Sequence, residues 1–313
     1  MFVLSTEICG NNAFPYTGDP DMADPSRGEA NMAIAKNGLP ISSLSEWSKR
    51  AGPKSKDHWR EDRSAMEVAR SWLAVTSPAL PVEVAAVLAS HSAFGVVNQW
   101  EAEPEARLSF DAFRGEPCNT DLIVYARDHF GDFVIAVEAK ADEPFSETVA
   151  DALAAAVERK LGNPRSNGVA RIEQLALALL GARRKGEPEL GKLRYQLLTA
   201  TAGALRAGEA CGAKRVVLLV QEFWTRLTAD AKHAANAVDL NRFVSRISHG
   251  IVSTVKPGVL HGPFKVHGTP LLSFSPLLFV GIAHIDLRSR SAKHDLQKWA
   301  DSTLGRPGRN LTV

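Results

Sequence analysis

Two stretches limit what this chain can become: FVIAVEAK at 133–140 and RVVLLVQEFW at 215–224. Each runs apolar without the polar alternation of a half-wet strand. Such runs suit strands covered on both faces, which requires helices above and below a sheet. The segments around them supply those helices. SAMEVARSWLAV, 64–75, opens with Ser64 three residues before Glu67, the spacing of a capping box. LPVEVAAVLASH, ETVADALAAAVERKLG, VARIEQLALALLGARR, LGKLRYQLLTATAGALRAG and HAANAVDLNRFVSRI read as further helices. ISSLSEWSKRAG reads as a short helix near a serine cap.

TDLIVYA and DFVIAVEAK, joined by RDHFG, read as a hairpin. ARLSFDAF reads as an earlier strand and PLLFVGIAHIDL as a late one. The expectation is an α/β domain spanning 61–290. Residues 1–60 are an arm, lid or support strap, and 291–313 a tail. With 45% apolar residues, the 313-residue chain can bury a substantial core.

Charge and cysteines are less decisive. The 37 basic and 35 acidic side chains give a net charge of +2, which neither demands nor excludes nucleic acid. Cys9, Cys118 and Cys211 form no CxxC pair and read as free thiols in a reducing compartment. The N-terminus lacks the basic and apolar regions of a signal peptide, and no run reaches the roughly 18 apolar residues of a membrane span. The expected setting is the cytoplasm. No GxxxxGK[ST] loop points to ATP.

Chemistry concentrates at the end of the first apolar run. Side chains alternate along a strand, so Glu138 and Lys140 share a face, while Ala139 turns the other way and offers its carbonyl. If the hairpin pairs, Asp121 meets Glu138. Two carboxylates at close range repel unless a cation sits between them. Magnesium suits such hard oxygen donors and keeps waters able to attack a phosphate. Lys140 has two candidate tasks there. It could neutralise charge on the phosphate, or act on the water as a base if its pKa is lowered.

TDLIVY followed by FVIAVEAK resembles the PD-(D/E)XK nuclease superfamily. Its pattern is a carboxylate opening one core strand, then D/E-X-K on the next. Asp121, Glu138, Ala139 and Lys140 supply that pattern; Thr120 stands where many members carry proline. The resemblance covers about residues 64–223. It implies a restriction endonuclease-like mixed sheet flanked by helices, with Mg2+ (Mn2+ as substitute) held by Asp121, Glu138 and the Ala139 carbonyl. It also implies an auxiliary acid on the first core helix, matched by Glu67, and a polar residue on a later helix, matched by Gln196. The implied activity is phosphodiester hydrolysis of nucleic acid, DNA before RNA, with a homodimer or partner subunit as an expected assembly. The competing reading is a non-catalytic nucleic-acid- or protein-binding domain, or an accessory subunit, that keeps the fold. His91, His129 and His284 read as surface or core histidines, and Asp111 as a turn residue.

Overall fold

The two apolar runs lie side by side as parallel strands in the middle of a six-stranded mixed sheet. The computed structural model describes residues 33–53, 55–113 and 117–288. Cys9, most of the proposed arm and the 291–313 tail lie outside these residues. In chain order the elements are β1 (Ala35–Lys36), β2 (Leu39–Pro40), α1 (Leu44–Ala51), α2 (Ser64–Leu73), α3 (Val82–Ala89), β3 (Gln99–Leu108), β4 (Cys118–Asp128) and β5 (Gly131–Lys140). Then follow α4 (Val149–Gly162), α5 (Gly168–Leu179), α6 (Tyr195–Ala210), β6 (Arg215–Trp224), α7 (Asp230–Ile247), β7 (Leu260–Phe264) and β8 (Leu277–Asp286). The large sheet runs β3-β4-β5-β6-β8-β7, with β5, β6 and β8 parallel to one another. β1 and β2 pair separately.

Strand alternation splits the core in two. Val134 and Ala136 of β5, with Val216, Leu218 and Val220 of β6, face side chains of α4, α5, α6 and α7. Ile135, Val137 and Ala139, with Val217 and Leu219, face α1, α2 and α3. Helices therefore cover both faces, giving an α/β fold with a mixed sheet. The described part of the arm joins the second face. Trp47 of α1 is buried there, and the main chain of Ala33 accepts the N–H of Ala102 in β3. Ser43 caps α1, its hydroxyl accepting the Glu46 N–H. Across the sheet, the indole of Trp72 donates to Gln221 Oε1 at 3.0 Å and so ties α2 to β6.

The hairpin is tighter than RDHFG implied. Asp128 pairs with Gly131, leaving His129 and Phe130 between the strands. Gly131 has φ +106, a conformation that favours glycine in such a turn. Two other expectations need correction. The strand placed on ARLSFDAF lies earlier, at β3. Its Glu101 and Glu103 alternate with buried Trp100 and Ala102, because an edge strand can keep one face wet. The SFDAF end leaves the strand instead, and Asp111 closes on Arg171 at 2.6 Å. The helix drawn from LGKLRYQ starts as a single 3-10 turn, Leu190–Lys192, and α6 begins only at Tyr195. β7, with Gly262 and Pro263, was not foreseen; as an edge strand it tolerates the missing N–H of proline.

The turn end of the hairpin is held by a buried ion pair. Arg215, at the start of β6, donates to both Asp128 oxygens at 2.7 and 2.9 Å. It also donates to the carbonyls of Ala93 and Gly131, and its guanidinium lies over Phe94 and Phe133. Burial pushes the Asp128 carboxyl up. The Arg215 bonds and the N–H groups of Gly95 and Phe130 more than offset this, so its pKa ends below the ordinary value. The stability it confers is present above the unfolded value near 3.8 and is lost as pH falls through the lower folded value. Replacing Asp128 by alanine strands the guanidinium and should cost about 3–5 kcal/mol in urea unfolding. The pair Asp128→Leu with Arg215→Met should recover much of that loss. A loss under 1 kcal/mol for Asp128→Ala would show that the pair does not hold the hairpin.

Candidate active site

The opposite end of β5 carries charge instead of packing. Leu122 pairs with Val137, so the same antiparallel register sets Asp121 beside Glu138. Asp121 Oδ2 accepts the N–H of Ala139 at 2.7 Å. In an extended strand the N–H and C=O of one residue point to the same side, so the Ala139 carbonyl also faces β4. Its side chain is buried on the α2 face. Glu138 and Lys140 point the other way and are 2% and 4% exposed. Lys140 Nζ donates to Glu138 Oε1 at 2.7 Å and lies 5.1 Å from the centre of the Phe145 ring.

Gln196, in the first turn of α6, closes the group. Its amide nitrogen donates to Glu138 Oε1, and its carbonyl oxygen accepts from Lys140 Nζ at 3.3 Å and from the Ser146 N–H at 3.1 Å. Nearby, Arg194 is taken up by Asp239 at 2.7 Å and by the Ser146 carbonyl. The structure thus brings together Asp121, Glu138, Ala139, Lys140 and Gln196.

Glu67 is held elsewhere. Val68, Ala69 and Trp72 of α2 pack on the face lined by Ile135, Val137 and Ala139, opposite to Glu138. The Glu67 carboxylate accepts from the Asp62 N–H at 3.0 Å and from Arg70 at 3.1 Å. Burial raises its pKa in spite of those bonds. These partners make it a local anchor for the α2 N-terminus.

Sequence reasoning missed a different acid. Glu105 of β3 lies beside Asp121 in the β3–β4 register, between the pairs Pro104↔Leu122 and Ala106↔Thr120. Its φ is +49, and its carboxylate accepts from the Asn119 amide. The signal was the every-second-residue glutamates of WEAEPEA, hidden once the strand had been set too late.

The electrostatics of the group follow from this crowding. Asp121 is pushed well above its ordinary value by burial, then by Glu138 and Glu105; Lys140 and the Ala139 N–H only partly compensate. Burial works against the charge on Lys140, but Glu138 and Asp121 outweigh it, so its pKa is raised. These carboxylates favour the ammonium form, which supports charge neutralisation over the base role for Lys140. Burial, then Glu138, pushes the Cys118 thiol up to about 12, leaving it unfit as a nucleophile.

Two carboxylates and a main-chain carbonyl are hard oxygen donors. With waters completing an octahedron, they suit magnesium. The raised Asp121 carboxyl marks a place where negative charge exceeds its compensation, which a cation relieves. Among the described residues, no group of three or more His, Cys, Asp or Glu side chains is placed to hold a metal ion. A metal here would rely on the two carboxylates, the main chain and water.

Fold and site together define an α/β protein with a buried acid–lysine cluster at the carboxyl end of a central strand. The chain matches the model of a domain of unknown function, DUF6946, over residues 40–275 and belongs to that family. No curated protein and no solved structure matches it. Among the described residues, no helix is long and apolar enough to cross a membrane.

Asp121 allows a direct check. Between its ordinary value near 3.8 and its raised value, the folded chain binds more protons than the unfolded one, so stability falls as pH rises through that window. Asp121→Asn, which can still accept the Ala139 N–H, should stabilise the metal-free protein at neutral pH by on the order of 1 kcal/mol, about 2–4 °C in Tm. The gain should vanish at pH values below the ordinary carboxyl range. A neutral-pH Tm lower than wild type would contradict the assigned crowding.

Proposed function

We propose that this protein is a magnesium-dependent phosphodiesterase acting on nucleic acid, with DNA as the leading substrate. The observation that carries the reading is the placement of Asp121 beside Glu138, with Lys140 Nζ 2.7 Å from the Glu138 carboxylate at the end of one buried strand. The resemblance of TDLIVY and FVIAVEAK to the PD-(D/E)XK superfamily, carried by these same residues, agrees with it.

Asp121, Glu138 and the Ala139 carbonyl would hold the ion. When bound, it would supply charge neutralisation at the phosphate and an acidified water. The residues of the chain do the rest. Lys140, held as an ammonium, faces the charge that develops on the phosphate oxygens in the transition state. Gln196 fixes its direction by accepting from Nζ while donating to Glu138. Phe145 shields the ammonium from water on its ring side. Cutting both strands of a duplex calls for two such sites, which a symmetric pair of chains would provide.

The test is cleavage of single-stranded and duplex DNA and of RNA, with magnesium or manganese against a chelator. Glu138→Ala should abolish metal-dependent cleavage while the protein stays folded. Lys140→Ala should lower the rate by about 10²–10³-fold, the usual loss when one stabilising donor is removed. Cleavage by Glu138→Ala at the wild-type rate would end the nuclease reading. Magnesium-independent binding of nucleic acid with no cleavage would establish the non-catalytic alternative.

A further inference from the structure

Beside Lys140 in the parallel register stands Glu222 of β6, and beside Glu222 stands His284 of β8. These side chains occupy the same sheet face as Glu138, because they continue the alternation of Val220 and Ile282. They border a cavity of about 520 Å³ between the sheet end and α7. That volume is within the range of small-molecule sites. Phe145, Val220, Leu240 and Ile282 give it apolar walls. Phe145 is also the ring beneath Lys140, so one side chain borders both the cavity and the candidate active site.

The polar side of the cavity is built as a unit. Glu222 Oε1 meets His233 Nδ1 at 2.6 Å, and Oε2 meets His284 Nδ1 at 3.3 Å. Trp224 donates to the same Oε2 and stacks on His233 at 5.2 Å. A carboxylate only accepts, so it fixes the proton of each ring on Nδ1. A neutral ring then offers Nε2 as an acceptor. His233 is 4% exposed, and its Nε2 has no hydrogen-bond partner. A buried polar atom left without a partner calls for an explanation, and here it belongs to a wall residue of the cavity.

We infer that this cavity receives a nucleobase of the strand whose phosphate lies at Asp121, Glu138 and Lys140. The inference rests on the proposed phosphodiesterase for the phosphate, and on the cavity itself for the base. Neighbouring strands are about 4.8 Å apart, so Lys140 lies roughly 5 Å from Glu222 and roughly 10 Å from His284. That span matches a nucleotide from phosphate to the far edge of its base. The apolar walls take the faces of a heterocycle, while ring or exocyclic N–H groups on its edge meet the partly exposed imidazole of His284. A base reaches such a cavity only from a single strand, a strand end or an unstacked position. The substrate class is therefore nucleic acid with an accessible base near the scissile phosphate.

The experiment is calorimetric binding to the full-length chain in magnesium, with the common nucleoside 5′-monophosphates against 2-deoxyribose 5-phosphate. At least one nucleotide should bind about tenfold more tightly than the sugar phosphate, the size of one base contact. Ala237→Trp, which fills the cavity from α7, should erase that difference; Ala234→Trp at the same wall is the second filler should the first not fold. Nucleotides that bind no more tightly than the sugar phosphate overturn the inference without any variant. So does a base preference that survives filling. Glu138→Ala separates the two readings. Base preference without any Glu138-dependent cleavage keeps the cavity and rejects the nuclease; Glu138-dependent cleavage without base preference does the reverse.

Discussion

The ammonium group of Lys140, a residue only 4% exposed, sets the terms for everything near it. Glu138 and Asp121 favour the charged form of Lys140 against the cost of its burial. A charge in that position needs partners on every side. The Glu138 carboxylate, the Gln196 carbonyl and the Phe145 ring are those partners, and each comes from a different part of the chain. α6 must therefore start where Gln196 can reach the strand end, and the loop after β5 must lay Phe145 across it. A buried ion pair is costly to form and still more costly to break. The arrangement is thus poor at adding stability, and good at fixing where a positive group sits beside two carboxylates.

The carboxylates are unequal. Glu138 accepts from Lys140 and Gln196 through the single oxygen Oε1, whereas Asp121 has the Ala139 N–H and two acidic neighbours. This asymmetry gives the site a direction. One acid is oriented by side-chain donors, and the other remains short of positive charge. It is the environment in which an added cation gains most, and in which a neutral phosphate mimic would gain little.

Much of this was legible in the residues. Unbroken apolar runs announced doubly covered strands, and the alternation of Glu138, Ala139 and Lys140 assigned two of them to one face. Asp121 joined them once the hairpin paired in register. Glu67 did not follow, because a helix position fixes neither the sheet face a helix covers nor which neighbours take its carboxylate. Asp62 and Arg70 decided that locally. Glu105 was illegible for another reason. Glutamates at every second position look like a solvated surface until the partner strand shows that one sits beside Asp121. The Glu222–His233–His284 group was beyond reach altogether, since its members come from β6, α7 and β8 and meet only through the β6–β8 register and the packing of α7 on it.

The ion pair of Asp128 and Arg215 has a consequence at the other end of the strand. Side chains alternate so strictly that a slip of one residue against β4 would send Glu138 and Lys140 into the tryptophan-lined face and bring Ala139 to the reaction side. Arg215 grips the first residue of β5 through the Gly131 carbonyl and the last residue of β4 through Asp128. It acts as the zero mark of a ruler. Counted from that mark, at about 3.3 Å per residue, the strand delivers Glu138 roughly 23 Å and Lys140 roughly 30 Å away with the correct phase. Substitutions at this distant clamp would therefore misplace the chemistry without touching any group that performs it.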